Sequence, residues 1–343
     1  MIKKIGVLGA GSIGCYIGGH LLYSGCDVVF IGRERLQKEI LENGMTLSHF
    51  SGKKVFIEPS KIKYKTSIEE LKNCDLILIT VKSQDSESTA QELKNIFKDD
   101  STKTLISFQN GVTNASRIES ILKESKVIAG MVPYNVISKG SGIFHSGTSG
   151  KLMIQETSTI SKEIVSIFQK ADLEIKEHPN LEGVLWGKLI FNLNNAINAL
   201  AGVPLKEELS DPMFRKILAR TMKEALSILK ESKIKPVSLG KMIPWLAPII
   251  LGLPNFLFFR VASSMIKIDP EARSSMWEDL NKKRKVEFDF INGEILALAK
   301  KNQIGAPIQN KIANLIKEAE EKKQGSPCYS AEKLLELLNI TER

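Results

Sequence analysis

Several groups of residues in this chain have types and spacings suited to chemistry. Gly9-Ala10-Gly11-Ser12-Ile13-Gly14 follows an apolar run and opens a helical stretch that continues to Tyr23. In a G-x-G-x-x-G with this setting, the first glycine permits a tight turn and the second lets a pyrophosphate approach the backbone. The third lets helix and strand pack closely, and the unpaired N–H groups of the helix start then bind phosphate. A purely structural glycine turn is the bland alternative. Residues 28–31 read as the second strand, and Gly32-Arg33 follows where an acidic residue would bind both ribose hydroxyls. A guanidinium suits a 2′-phosphate in geometry and charge, so NADP(H) is expected over NAD(H). Glu34, turned inward to a ribose hydroxyl, is the competing arrangement.

Lys82 and Asn110-Gly111 each follow an apolar run, 76–81 and 105–108. In an open parallel sheet, ligands lie outside the carboxyl ends of the strands, which favours function for both over an exposed lysine and an ordinary Asn-Gly turn. Further on, Lys188, Asn192 and Asn195 are spaced by four and three and share one face of an expected helix. Polar groups on a largely apolar helix are costly unless they line a polar cavity; a solvent face is the alternative. Ser275 and Glu287 are twelve residues apart on the next long helical period, facing within roughly 120° of each other.

These residues need positioning elements, and the sequence supplies two kinds. Apolar runs at 2–8, 27–31, 76–81, 105–108 and 127–132 alternate with helical stretches, the pattern of βαβ units in a parallel sheet. Residues 142–145 and 151–155 then read as an antiparallel hairpin, and a strand near 173–176 closes the first domain. Beyond it the strand signals fade, and helical periods cover 184–200, 212–231, 275–302 and 309–322. The expected fold is therefore α/β: a Rossmann-type dinucleotide-binding domain over 1–180 and an all-α domain over 181–343, with the linker at His178-Pro179-Asn180.

Composition bounds the function. A chain of 343 residues, 43% hydrophobic and 25% charged, is globular and long enough for two cores. A formal charge of +9 favours anionic partners, but the basic residues are spread out and lack aromatic interleaving, so a small ligand is expected rather than nucleic acid. Four cysteines without short paired spacings suggest a reducing compartment, hence the cytoplasm, and no metal site. Cys15 and Cys26 read as small apolar residues packed around the first helix and strand. The apolar stretch 243–266 is broken by Pro244, Pro248, Pro254, Asn255 and Arg260, so two short buried or pocket-covering helices are expected there, not a membrane span.

Together the glycine loop, Val81-Lys82, Gln109-Asn110-Gly111, His145-Ser146-Gly147, Trp186-Gly187-Lys188-Leu189-Ile190-Phe191-Asn192 and Glu287-Phe288-Asp289-Phe290-Ile291-Asn292-Gly293 resemble the ketopantoate reductase family over nearly the full chain. The last two strings are the specific ones. The resemblance implies NADPH-dependent reduction of 2-dehydropantoate to (R)-pantoate, in a cleft between the two domains, with Lys188 as general acid and Glu287 on the substrate hydroxyl. It also implies substrate contacts from Asn110, Asn192, Asn195 and Ser275, and cofactor contacts from residues 9–14, Arg33, Lys82, Asn110 and Glu287. A homodimer is compatible with it. Two positions depart from the pattern, Ala196 eight residues after the lysine and Ala272 three before Ser275, each where asparagine stands in family members. They leave open another branched 2-oxo acid as substrate. A regulatory protein that binds dinucleotide without catalysis is the reading from a different class; it has no use for Lys188 and Glu287.

Overall fold

The computed structural model describes residues 2–98, 100, 102–148, 150–240, 242–262 and 271–340. The chain divides into two compact units, Met1–Leu181 and Glu182–Arg343. The strands of the first unit are β1 (Lys4–Leu8), β2 (Asp27–Ile31), β3 (Met45–His49), β4 (Lys54–Ile57), β5 (Lys63–Lys65), β6 (Leu76–Ile79), β7 (Thr104–Ser107), β8 (Lys126–Met131), β9 (Val136–Gly140), β10 (Ile143–Ser146), β11 (Leu152–Gln155) and β12 (Ile175–His178). Its helices are α1 (Ser12–Tyr23), α2 (Glu34–Asn43), α3 (Ser86–Phe97), α4 (Asn114–Ile121) and α5 (Ser158–Lys170).

The main sheet has the order β12-β11-β8-β7-β6-β1-β2-β5. It is parallel from β5 through β8, and β11 then runs antiparallel to β8. Its inner strands β1, β2, β6 and β7 are largely apolar because both faces are covered. Ile5, Val28, Phe30, Leu76 and Leu78 join one buried cluster with Ile17 and Leu21 of α1 and Ile164 and Phe168 of α5. The alternate residues Val29, Ile31, Ile77 and Ile79 join the other, with Leu93 and Phe97 of α3 and Ile118 of α4. The period of two thus feeds two cores, one on each face.

A second, four-stranded sheet, β4-β3-β10-β9, corrects the sequence expectation for residues 142–155. β10 and β11 do not form a hairpin: β10 pairs with β9 and β3, whereas β11 joins the main sheet beside β8. The tight turn lies one step earlier, at Gly140-Ser141-Gly142, where all three residues have positive φ. β3, β4, β5 and β9 are short and were not anticipated from the pattern.

In the second unit the helices are α6 (Leu181–Asn192, beginning one residue before the boundary), α7 (Asn194–Ala201), α8 (Leu205–Ser210), α9 (Pro212–Glu231), α10 (Ala247–Leu251), α11 (Asn255–Val261), α12 (Ser275–Asn281), α13 (Asn292–Lys301), α14 (Pro307–Lys322) and α15 (Ala331–Leu337). α9 lies where its caps predict: Pro212 occupies the first turn, and the Asp211 carboxylate accepts the Met213 N–H at 2.7 Å. It packs against α8, α10, α13, α14 and α15.

Two helical expectations need correction here, and a third holds in part. The period 184–200 is interrupted at Leu193, so Asn195 stands on α7 while Lys188 and Asn192 stand on α6. The period 275–302 is not one helix: α12 stops at Asn281, Lys283 turns with φ 54°, and Glu287 caps a 3-10 turn at Phe288–Phe290. The phase computed for Ser275 and Glu287 on one helix therefore does not apply. The apolar stretch after residue 243 does form two short helices, each buried on one side only: Ala247, Pro248 and Leu251 of α10 and Phe258 of α11 are buried, whereas Ile249, Phe256 and Val261 are more than half exposed. Its residues 263–266 lie outside the described residues, and among those described no helix is long and apolar enough to cross a membrane.

Candidate active site

Strands β7, β6, β1 and β2 are consecutive in the main sheet, and at neighbouring-strand spacing their carboxyl ends span roughly 15 Å. Beyond those ends stand Asn110, Lys82, the glycine loop and Arg33, in that order. Sequence-distant residues are thereby aligned on one edge, where open α/β sheets bind ligands.

Each loop glycine answers a different constraint. Gly9 has φ +92°, and a Cβ there would strike the Val81 backbone. A Cβ on Gly14 would lie 2.5 Å from Thr80 Oγ1 and 2.8 Å from the Gly9 carbonyl. At Gly11 a Cβ would come no closer to other protein atoms than 3.8 Å. The fold alone does not require glycine at 11, and the lack of a side chain there leaves the backbone open to approach from outside. Gly11 caps α1 without a side-chain hydrogen bond, and the first turn, Ser12 and Ile13 included, holds no acidic residue. Ala10 is buried, and its carbonyl accepts the Tyr64 hydroxyl at 3.1 Å. The loop fits the phosphates of a dinucleotide: first-turn N–H groups, no competing carboxylate, and an open approach at Gly11.

Tyr64 of β5, absent from the sequence reading, also explains the missing acidic residue after β2. A Cβ on Gly32 would overlap the Tyr64 hydroxyl, so no longer side chain fits beside it. Arg33, exposed, follows as the residue capping α2. Glu34 lies along α2, 3.2 Å from Lys38.

Lys82 is half-buried and precedes the 3-10 turn Ser83–Asp85, two residues further past the strand than the 76–81 run implied. Its turn is tied to that of Asn110 by uncharged buried groups. Ser83 Oγ donates to the Asn110 carbonyl at 2.9 Å, and Asn114 Nδ2 donates to the same oxygen. Gln109 Nε2 donates to the Val81 carbonyl at 3.1 Å and to Ser86 Oγ at 2.7 Å. Gly111, at φ +95°, supplies the left-handed position of the Asn-Gly turn.

In the second unit, Lys188 is half-buried on α6. Desolvation brings its pKa down to about 8, and the Glu287 carboxylate opposes that fall. Glu287 is itself buried at 7% exposure, so the two partners missed by helix phase are brought into electrostatic contact by the 3-10 turn. Gly187 is required because the Val237 backbone lies against it, with Val237 N–H donating to the Gly183 carbonyl at 2.7 Å. Asn192, Asn195 and Ser275 are half-buried. Ser274, which caps α12, donates through Oγ to the Asn195 carbonyl at 3.0 Å, which ties α12 to α7. Ala196 is fully buried and offers no polar group.

A lysine poised near pH 8 beside a buried carboxylate can give a proton to a developing alkoxide. His20, His49, His145 and His178 all lie in the first unit, and no cluster of metal-ligating side chains occurs among the described residues. Cys15 is buried, and Cys26 packs partly buried against the same core.

Comparison with known proteins places the chain by sequence and by fold. Residues 5–159 match the family described as "Ketopantoate reductase PanE/ApbA" and residues 180–320 match its C-terminal part. A 2-dehydropantoate 2-reductase of Pyrococcus horikoshii is 28% identical over 328 residues, covering 94% of this chain and 99% of that protein. The crystal structure of a PanE/ApbA family ketopantoate reductase from Ralstonia eutropha superposes with TM-score 0.80 at 26% identity, over 94% of this chain and 99% of the other. D-mandelate dehydrogenase, solved with NADH and anilino(oxo)acetate, shares the fold with TM-score 0.76 at 21% identity, over 93% and 99% of the two chains. With both parts of the family pattern matched, over residues 5–159 and 180–320, this chain belongs to the ketopantoate reductase family.

Proposed function

We propose that this chain is an NADPH-dependent 2-dehydropantoate 2-reductase that forms (R)-pantoate for pantothenate biosynthesis. The observation that carries this reading is Lys188, held near pKa 8 by burial and kept partly charged by Glu287. At pH 7 such a lysine is about nine-tenths protonated. It stabilises oxygen charge at C2 and then donates its proton there, while Glu287 receives the substrate hydroxyl. Bound nicotinamide supplies the hydride. Asn110, Asn192, Asn195 and Ser275 orient the 2-oxo acid. Residues 9–14 bind the pyrophosphate, and Lys82, Asn110 and Glu287 complete the cofactor contacts. The first unit is the cofactor domain and the second the catalytic one; a cytoplasmic location and a homodimer belong to the same reading.

The choice of NADPH is supported by the Tyr64 hydroxyl that keeps position 32 a glycine, and by Glu34 lying beside Lys38. Arg33 is then the residue left to meet the ribose, and a guanidinium prefers its 2′-phosphate. One observation favours a second substrate: the buried Ala196 withholds a contact that asparagine gives elsewhere in the family, which suits another branched 2-oxo acid.

The test is oxidation of NADPH and NADH by purified protein, followed by nicotinamide absorbance, with 2-dehydropantoate and a panel of branched 2-oxo acids. Preferred turnover of 2-dehydropantoate with NADPH is expected. Preference for another acid moves the substrate and keeps the mechanism, and binding of NADPH without turnover of any acid removes the catalytic reading.

A further inference from the structure

Glu208 on α8 is 1% exposed. No charged group offsets it among the described residues, and burial raises its pKa to about 8 against two opposing amide contacts, from Asn198 and Asn194. An unpaired buried carboxylate is costly, and the usual resolution is to hold the neutral acid. The hydrogen bonding around it points the same way. Asn198 Nδ2 donates to Glu208 Oε2, while Glu208 Oε1 and Asn194 Oδ1, both acceptors, have no partner. Two orphaned acceptors in one cluster lack a donor. A proton on Oε1 supplies it when the Asn194 amide presents its oxygen to the carboxyl group.

The cluster leads outward by definite bonds. Asn198 is fully buried; its Nδ2 also donates to the Val203 carbonyl at 3.0 Å, and its Oδ1 accepts the Ser274 N–H at 2.8 Å. Ser274 Oγ donates to the Asn195 carbonyl at 3.0 Å and accepts the Trp277 N–H at 3.1 Å. The segment before α12 is fastened a second time, by Leu205 N–H to the Ala272 carbonyl at 2.9 Å. Glu208 thus stands at the closed end of a chain of bonds whose other end sets Asn195 and the residue after Ser274, which is Ser275.

We propose that Glu208 is a positioning residue: acting through Asn198 and Ser274 as a neutral acid, it fixes Asn195 and Ser275 for the 2-oxo acid. This rests on the reading of Asn195 and Ser275 as substrate contacts. It assigns α8 a part in substrate recognition without contact to substrate. A fully satisfied buried network rigidifies what it holds, and removing one member leaves the others unpaired.

The experiment compares E208L, E208Q, N198A and S275A for KM and kcat with the preferred 2-oxo acid, NADPH affinity by nicotinamide fluorescence, and Tm. E208L and N198A are expected to raise KM for the acid about ten-fold, equivalent to about 1.4 kcal/mol, with NADPH affinity unchanged. E208Q restores most of the loss, since an amide keeps an acceptor for Asn198 and a donor for Asn194. S275A raises KM alone, and E208L adds little to it. A lowered Tm with unchanged KM, measured well below the transition, overturns the proposal and leaves Glu208 purely structural. If E208L does not fold, an unchanged KM in N198A overturns the proposal in the same way. E208Q no better than E208L overturns the neutral acid. An unchanged KM in S275A overturns the substrate assignment of Ser275, and with it the route through Ser274. Absence of turnover with every acid removes the reading and the proposal together.

Discussion

In the first unit the candidate residues sit in turns that directly follow strands β1, β2, β6 and β7, and strand order alone places those turns side by side. In the second, Lys188 comes from α6, Asn195 from α7, Ser275 from α12 and Glu287 from the cap of a 3-10 turn, with no regular lattice to align them. The first arrangement is built largely of backbone: a glycine that leaves open approach, helix-start N–H groups, a turn at positive φ. The second is built of half-buried and buried side chains, and the charge of its titratable members depends on their neighbours, as for Lys188 near pKa 8 and Glu208 raised to a similar value. A backbone site tolerates its surroundings and fails by steric intrusion. A desolvated side-chain site fails when a neighbour or a proton is lost.

The largest test of this contrast is Lys188→Ala. Turnover is expected to fall by about 10² to 10⁴ while NADPH affinity stays within a factor of two or so, as when a general acid is lost from a site whose nucleotide contacts lie elsewhere. Unchanged turnover breaks the assignment. In the parent protein the pH dependence of kcat/KM should show an alkaline limb near the Lys188 value of about 8, activity falling as the lysine deprotonates with rising pH.

Next comes Arg33→Ala, expected to weaken NADPH by about 10- to 100-fold and NADH hardly at all, the range of a lost charge-assisted hydrogen bond. Equal losses for both cofactors would contradict the 2′-phosphate argument.

The glycine pair is sharper in kind than in size. Gly11→Ala should leave Tm within a few degrees and weaken dinucleotide about ten-fold, because its Cβ meets no other protein atom closer than 3.8 Å. Gly14→Ala should lower stability by about 1–3 kcal/mol through overpacking against Thr80 and the Gly9 carbonyl. The reverse pattern in thermal melts and cofactor titrations would exchange their roles.

The last test concerns stability with pH. Glu208 has a folded pKa of about 8 against an ordinary value of 4.5, so the folded state holds more protons between those limits. Its contribution is therefore fully present below about pH 4.5 and is lost as pH rises through 8, with a limiting slope of about 1.4 kcal/mol per unit. Denaturation of the parent and E208Q across pH 5–8 measures it as the difference between the two slopes; identical slopes would show that Glu208 does not hold a proton.

Residue spacing determined much of the first unit. The strand Asp27–Ile31, helix α1 and the glycine loop were legible because each depends on neighbours within a few residues: an apolar run, a helix start, a turn that only glycine makes. The same locality made α9 legible from Asp211 and Pro212. The β10–β11 pairing was misread for the complementary reason. Adjacent runs look like a hairpin, but the three positive-φ residues 140–142 turn β9 onto β10, and β11 finds β8 instead.

In the second unit the residue types at 188 and 287 were readable, but their relation was not. A helix extended through Lys283 puts Glu287 on a computed face of α12, whereas the chain leaves the helix after Asn281 and brings the carboxylate to Lys188 by packing. Tyr64 and Glu208 carry no local signal at all. One acts by filling the space beside Gly32 and the other through Asn198. The two element patterns and the glycine loop with its helix start were legible in the residues themselves, since short-range backbone constraints fix them, whereas Lys188 and Glu287 were singled out as a pair only through the family resemblance. Packing settled which carboxylate meets the lysine, which side chain closes position 32 and which acid is buried away from countercharge, because desolvation and steric exclusion depend on groups distant in the chain.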